Sequence, residues 1–514
     1  MGFMTFIKKL NVSIMVALAS FAGATIFICS NFLLNDIELL AQKAIAAQKS
    51  RAETVPAPFE PGEHLPGGKA TSRKSFKNKN AFSHSSGNMG FEKELLFKVG
   101  NGLFRKLWVS SPSSTKSSDG LGPLFNARSC QRCHLKDGRG HTPEANWPED
   151  TQVSLFLRLS IPPQTVEQKK LISSGRALVI PEPTYGGQFQ DLSIQGHQGE
   201  GHMNIRYEYF DMSLDDGTTV QLRRPHYSAT DLKYGPMQKD VLISPRLTPP
   251  MIGLGLLDAI PAQEILKLAD PDDQNSDGIS GKANMVWSDL KQKIMLGRFG
   301  WKAGSPSVKE QSAAAFSGDI GLSTSLHKNA AGDCTPNQTF CLKAPHGVDK
   351  KSGVEVTDQM LDLVTFYASN LAVPKRRNPQ KMSVLNGKSL FHSIGCASCH
   401  RPSFKTGPLP KNKHLSQQLI WPYTDMLLHN MGEGLADHRP EGKADGFEWR
   451  TPPLWGVGLT KTVNGHENLL HDGRARSVEE AILWHGGEAL KTRDAYSKLS
   501  KAERMWLVEF VRSL

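Results

Sequence analysis

The chain has 514 residues, too many for one ordinary core, which points to two or three folded units. Hydrophobic residues make up 39% and charged residues 22%, which excludes a fibrous or disordered protein. The 61 Lys and Arg against 50 Asp and Glu leave a formal charge of +11. These residues are spread along the chain without a basic run, so a generally basic surface with room for an acidic redox partner is expected, and no nucleic acid.

Lys8 and Lys9 precede an uncharged apolar stretch at 12–34. Residues 1–47 therefore read as a cleaved signal peptide or a membrane anchor, with everything after them exported. The expected location is the periplasm, soluble or anchored to the inner membrane through this segment alone. Residues 48–90 are rich in Pro, Gly, Ser and Lys and read as a flexible linker.

Cys130, Cys133 and His134 form the first C-x-x-C-H motif. The spacing has a chemical reason. Two thiols two residues apart can each add to a vinyl group of one porphyrin, and the adjacent His then reaches the iron from below. Residues 151–245 alternate apolar and polar side chains between Gly-rich turns, which argues for strands inserted in a helical unit. Helical periodicity returns at 261–269, 307–316 and 357–371.

Asp273, Asn275, Asp277 and the Ile279 position fit the start of a calcium loop, the other reading being an acidic solvated turn. A twelve-residue register would close that loop with Asn284, not Glu. Cys334 and Cys341 lie in a Pro- and Asn-containing loop with no His after either, and read as a local disulfide. A Pro-bounded charged break follows, and a domain boundary is placed near 375. Cys396, Cys399 and His400 form the second motif, within a last unit at 376–514 that closes with a helix at 500–514. The expected fold is mainly α. It has two cytochrome-c-like haem domains, at 91–375 and 376–514, with a β-containing insertion in the first and a signal or anchor helix ahead of both.

Glu448-Trp449-Arg450-Thr451-Pro452-Pro453-Leu454-Trp455-Gly456 and Leu470-His471-Asp472-Gly473-Arg474-Ala475 resemble the C-terminal region of bacterial di-haem cytochrome c peroxidases. Asp119-Gly120-Leu121-Gly122-Pro123-Leu124-Phe125-Asn126 and Gly297-Arg298-Phe299-Gly300-Trp301-Lys302-Ala303 narrow the likeness to their larger relatives, the di-haem oxidoreductases. The resemblance implies two covalent haem c groups and, between them, a calcium ion. It implies His485 as second axial ligand of the C-terminal haem, although the family has Met or Tyr there. His471 becomes a supporting group, not a ligand.

For the N-terminal haem the resemblance implies Trp301 between the haems and Gln311 on the open side. The family's catalytic Glu falls on Gly321, which leaves Asp319, with Glu310 as fallback, as the proton-moving group. The implied activity is reduction of hydrogen peroxide with electrons from a small cytochrome c or cupredoxin. The alternatives are a high-valent-iron oxidase of an organic or protein substrate, and a non-catalytic di-haem electron carrier. A thiol-oxidoreductase role has no exposed reactive cysteine pair to support it.

Overall fold

Glycine and proline punctuate this chain 46 and 31 times, and its regular elements are correspondingly short. The computed structural model describes residues 55–151 and 154–514, so the expected signal or anchor segment lies outside the described residues. Among the described residues, α-helices run from 4 to 15 residues and the strands pair into seven two-stranded sheets. No helix among them is long and apolar enough to cross a membrane.

The expectation of a mainly α protein built from two cytochrome-c-like domains is therefore corrected. Strands occur along the whole described chain, from Val109–Ser110 to Glu448–Arg450, and much of the rest is irregular. The expected linker is corrected as well. Ala70, Ala81, Phe82 and Met89 are all buried, because the small and aromatic residues of this stretch fill gaps in the central core. That core joins Phe82, Ile252 and Phe299 to Phe404, Leu427 and Trp455, so it crosses the boundary expected near 375. Pro56–Leu514 form a single unit by their contacts.

The strands at 151–245 form where alternation placed them. Leu155–Ser160 pairs antiparallel with Leu242–Leu247, and His202–Ser213 with Thr219–Thr230. The second pair is a long hairpin clasped to the C-terminal part. Near its tip Arg504 meets Asp216 at 3.0 Å, and along its length Arg223 donates to the carbonyls of Gly473 and Arg474. Helices Val308–Ile320, Asp358–Ser369 and Lys501–Ser513 begin where Ser307, Thr357 and Ser500 accept a first-turn amide, so each start was readable as an N-cap.

Two helix crossings frame the two cysteine motifs. Phe91–Arg105 packs on Asp358–Ser369, and Met382–Ser393 on Lys501–Ser513. A glycine sits at each contact. A Cβ on Gly100 would lie 2.3 Å from the Leu363 carbonyl, and one on Gly387 would lie 2.0 Å from the Trp506 carbonyl. Gly387→Ala is expected to destabilise the fold by about 1–3 kcal/mol in urea unfolding. Gly102→Ala, which meets nothing within 4 Å, should be neutral or mildly stabilising.

Candidate haem sites

The first motif folds as one helical turn, Cys130–Cys133, and the His134 amide closes it on the Cys130 carbonyl at 3.0 Å. Cys130, Cys133 and His134 line one side of a cavity of about 530 Å³. Gln311, Ala315 and Asp319, spaced i, i+4, i+8 along Val308–Ile320, line it from a helix face. Phe156 and Arg158 line it from the strand Leu155–Ser160, and Trp301 and Trp455 from connecting segments. Burial lowers the His134 imidazole to about 4, so it is neutral, the form that ligates metal. Burial pushes the Cys130 thiol up to about 12, away from the depressed range of thiol-redox enzymes.

Haem can be tested against this cavity through its buried polar groups. Arg139 Nε and Nη1, Thr248 Oγ1, Trp455 Nε1 and Arg439 Nε are buried without a hydrogen-bond partner, and all four residues line the cavity. Buried donors are normally satisfied, so their convergence calls for a group bearing acceptors. A porphyrin dicarboxylate beside a cysteine pair and a neutral imidazole meets that need. The residues fit.

The candidates for chemistry at this cavity fare unequally. Asp319 is half-buried in the cavity wall; its Oδ1 accepts from Gln188 Nε2 at 3.0 Å and lies 4.0 Å from Arg158 Nη2. Burial pushes its carboxyl up, against the pull of Arg158 and the Gln188 hydrogen bond. Glu310 is committed elsewhere: Ser288 and Ser307 hydroxyls and the Leu290 amide all donate to it. Gly321 closes its helix at φ 76°, and a Cβ there would meet Gly122 Cα at 2.6 Å, so position 321 has no room for an acid.

Trp301 is buried between two aromatic surroundings. It lines the cavity and also packs in the cluster of Trp421, Tyr423, Trp449 and Trp484. Its indole N–H donates to the Leu247 carbonyl at 2.7 Å, and the Leu247 amide donates to the His471 carbonyl at 2.6 Å. The His471 ring stacks on Trp449 at 3.7 Å, and burial lowers it to about 3. His471 is thus a packing group between the two regions.

At the second motif the turn Cys396–Ser398 leads into His400. His400 Nδ1 donates to the Tyr423 carbonyl at 3.0 Å, and His485 Nδ1 donates to the Ala481 carbonyl at 2.6 Å. Each bond fixes the tautomer and leaves Nε2 free with its lone pair, the usual state of a ligating imidazole. Burial lowers His400 to about 4, and His485 is near enough to add to that shift. Burial lowers His485 too. Trp421 Nε1, Tyr423 OH and Trp484 Nε1 are buried without partners in the aromatic cluster against which Cys396 packs. A haem fits here by the same reasoning.

Sequence reasoning missed the clamp on this motif. His429 lies between Asp425 and Glu488, 2.7 and 2.6 Å from its two ring nitrogens, and Nδ1 is 3.7 Å from Cys399 Sγ. Burial opposes its charge, but the hydrogen bonds its ring makes with Asp425, Cys399 and Glu488 hold it well above its ordinary value. No motif marks these three residues; only the fold joins them. Arg139 had a signal, five residues after His134 in a Gly-rich turn.

In the 273–279 loop, Asp273 accepts from the Gly278 amide and Asn275 from the Asp277 amide, so these oxygens cap their own exposed turn. The Ile279 amide donates to Asp277. Asn284 lies away from the loop, donating to the carbonyls of Lys302 and Glu441. Among the described residues the convergent metal-type donors are instead Cys399, Asp425 and His429. Cys334 and Cys341 are disulfide-bonded, with Cα atoms 6.0 Å apart.

A cavity beside one cysteine–histidine motif, and a second motif with two neutral imidazoles, define a haem oxidoreductase with two haem sites. The family described as "Di-haem oxidoreductase, putative peroxidase" matches residues 63–514, nearly the whole chain, and the protein belongs to it. Among solved structures it is similar to Kuenenia stuttgartiensis hydrazine synthase, at 12% identity and a TM-score of 0.32, over 90% of this chain and 99% of that one. No curated protein matches.

Acid should test the ionic wall of the cavity. Burial pushes Glu441 up, but Arg246 and Arg439, at 3.3 and 2.9 Å, pull it down to about 2 from an ordinary 4.5. Its contribution is complete above about pH 4.5 and is lost as the pH falls toward 2. Between pH 5 and 2, melting followed by circular dichroism should show a smaller fall in Tm for Glu441→Gln than for the wild type.

Proposed function

We propose that this protein is a periplasmic c-type oxidoreductase that reduces hydrogen peroxide with electrons from a small cytochrome c or cupredoxin. One haem would be thioether-linked at Cys130 and Cys133, the other at Cys396 and Cys399. The observation that carries the reading is an asymmetry. The His134 motif opens on a large cavity containing Gln311 and Asp319, whereas near the His400 motif lies a second imidazole, His485, whose Nδ1 is likewise tied to a backbone carbonyl. One site offers room for a substrate, and at the other His400 and His485 would both be available to hold a haem, as suits electron transfer.

The overall reaction takes hydrogen peroxide, two electrons and two protons to two waters. Haem iron, when bound, supplies the electrons to the O–O bond. The chain's own residues have distinct tasks. His134 and His400 would each hold a haem through an imidazole nitrogen, and His485 would join His400 at the second site. Gln311 orients the substrate through its amide. Asp319, whose carboxyl burial pushes up, is placed to take up a proton and move it to the departing oxygen. Trp301, packed between the two regions, lies on the route between them. The absence of an acid at position 321 favours one second reading, oxidation of an organic or protein substrate at the same cavity.

Steady-state turnover with hydrogen peroxide and a reduced small cytochrome tests the reading. The wild type should turn over, and Asp319→Asn should lose about 10²–10⁴-fold in kcat/KM with unchanged haem content. Wild-type protein that is inert to peroxide and gives no high-spin ferric signal by EPR would contradict it and mark an electron carrier.

A further inference from the structure

The strand Leu155–Ser160 is one of the places where the β segment reaches the first haem site. Its alternation sends Leu155, Leu157 and Leu159 into a small apolar core and turns Phe156 and Arg158 to the cavity. Several arginines line that cavity, and most are already engaged. Arg246 pairs with Asp437 and Glu441, and Arg439 with Glu441. Arg298 donates to the carbonyls of Leu257 and Ile260, and Arg450 to those of Gly300 and Thr451. Arg158 differs. Its nearest acid is Asp319, with 4.0 Å between Nη2 and Oδ1, beyond hydrogen-bond distance, and its side chain is 38% exposed.

The position of Asp319 decides what Arg158 can serve. The Asp319 carbonyl accepts from the amides of Asn126 and Ala127, just ahead of the cysteine motif. Its carboxylate charge is felt by the thiols of both Cys130 and Cys133. Arg158 therefore stands at the thioether edge of the haem site. Vinyl and propionate groups occupy opposite edges of a porphyrin, so the carboxylates point away from Arg158. Arg139 is the candidate partner for them: it carries the orphaned N–H groups and lies over the Trp301 ring at 5.8 Å. The Arg158 guanidinium lines the cavity with planar N–H donors, and its ion-pair partner Asp319 lies beyond hydrogen-bond distance.

We propose that Arg158, beside Asp319 and Gln188, makes this end of the cavity a binding subsite for small anions. Resting on the peroxidase reading, it further holds the oxygen on which negative charge builds as the O–O bond breaks. Arg158 supplies charge and hydrogen bonds there, and Asp319 supplies the proton, a division that suits a guanidinium that stays protonated.

The experiment titrates the oxidised, haem-loaded full chain with azide, and in parallel with neutral imidazole, following the Soret band. Arg158→Leu should weaken azide on the order of tenfold to a hundredfold, with imidazole changed less than about threefold, and Arg158→Lys should recover part of the loss. Equal azide affinity in Arg158→Leu, a parallel loss of both probes, or no azide binding by the wild type would overturn the subsite. The peroxidase reading fails separately: azide binding that depends on Arg158, in a wild type inert to peroxide, retains the anion subsite and removes its role in turnover.

Discussion

Partial burial of His134, His400 and His485 is the constraint on which both haem sites depend, because drawing an imidazole away from water favours its neutral form. Neutral rings keep a lone pair, and for His400 and His485 a backbone carbonyl already occupies the other nitrogen. The chain therefore prepares metal-ligand geometry without needing a charge beside it. Much of the surrounding structure serves this condition: aromatic residues exclude water at the second motif, and paired ions seal the wall of the first.

The two sites are joined through packing. Trp301 belongs to both surroundings, and the sequence of contacts from its indole through Leu247 to His471 and Trp449 runs from one to the other. The hairpin of His202–Thr230 adds a second tie, since its arginine and aspartate contacts reach the segment 473–504. A displacement of either half would strain both ties at once. The β segment thus has two jobs: it holds the halves in register and places Arg158 in the cavity.

What the sequence revealed follows a physical pattern. The cysteine–histidine spacing is dictated by covalent chemistry local to five residues, so it was legible in full, as were the capped helix starts at Ser307, Thr357 and Ser500. The hairpin strands His202–Ser213 and Thr219–Thr230 were legible because residues along them alternate toward solvent. Leu155–Ser160 was legible because apolar and polar side chains alternate along it, although both faces are covered. The fold class was not. Short helices and two-residue strands carry little periodicity, and composition could not show that residues 68–89 fill a core. Groups brought together only by tertiary structure stayed hidden, such as His429 with Glu488 and Arg158 with Asp319. Gly321 was legible as a departure from the family, but its cause, the contact with Gly122, was not.

The most direct measurement is the intact mass and pyridine haemochrome spectrum of the denatured protein, purified from a host that matures c-type haem. The expected mass exceeds the polypeptide by two haems, falling by one in Cys130→Ser/Cys133→Ser and by one in Cys396→Ser/Cys399→Ser. A wild-type mass equal to that of the bare polypeptide, with no haemochrome absorbance, would contradict thioether attachment and every role assigned to the two sites on that basis.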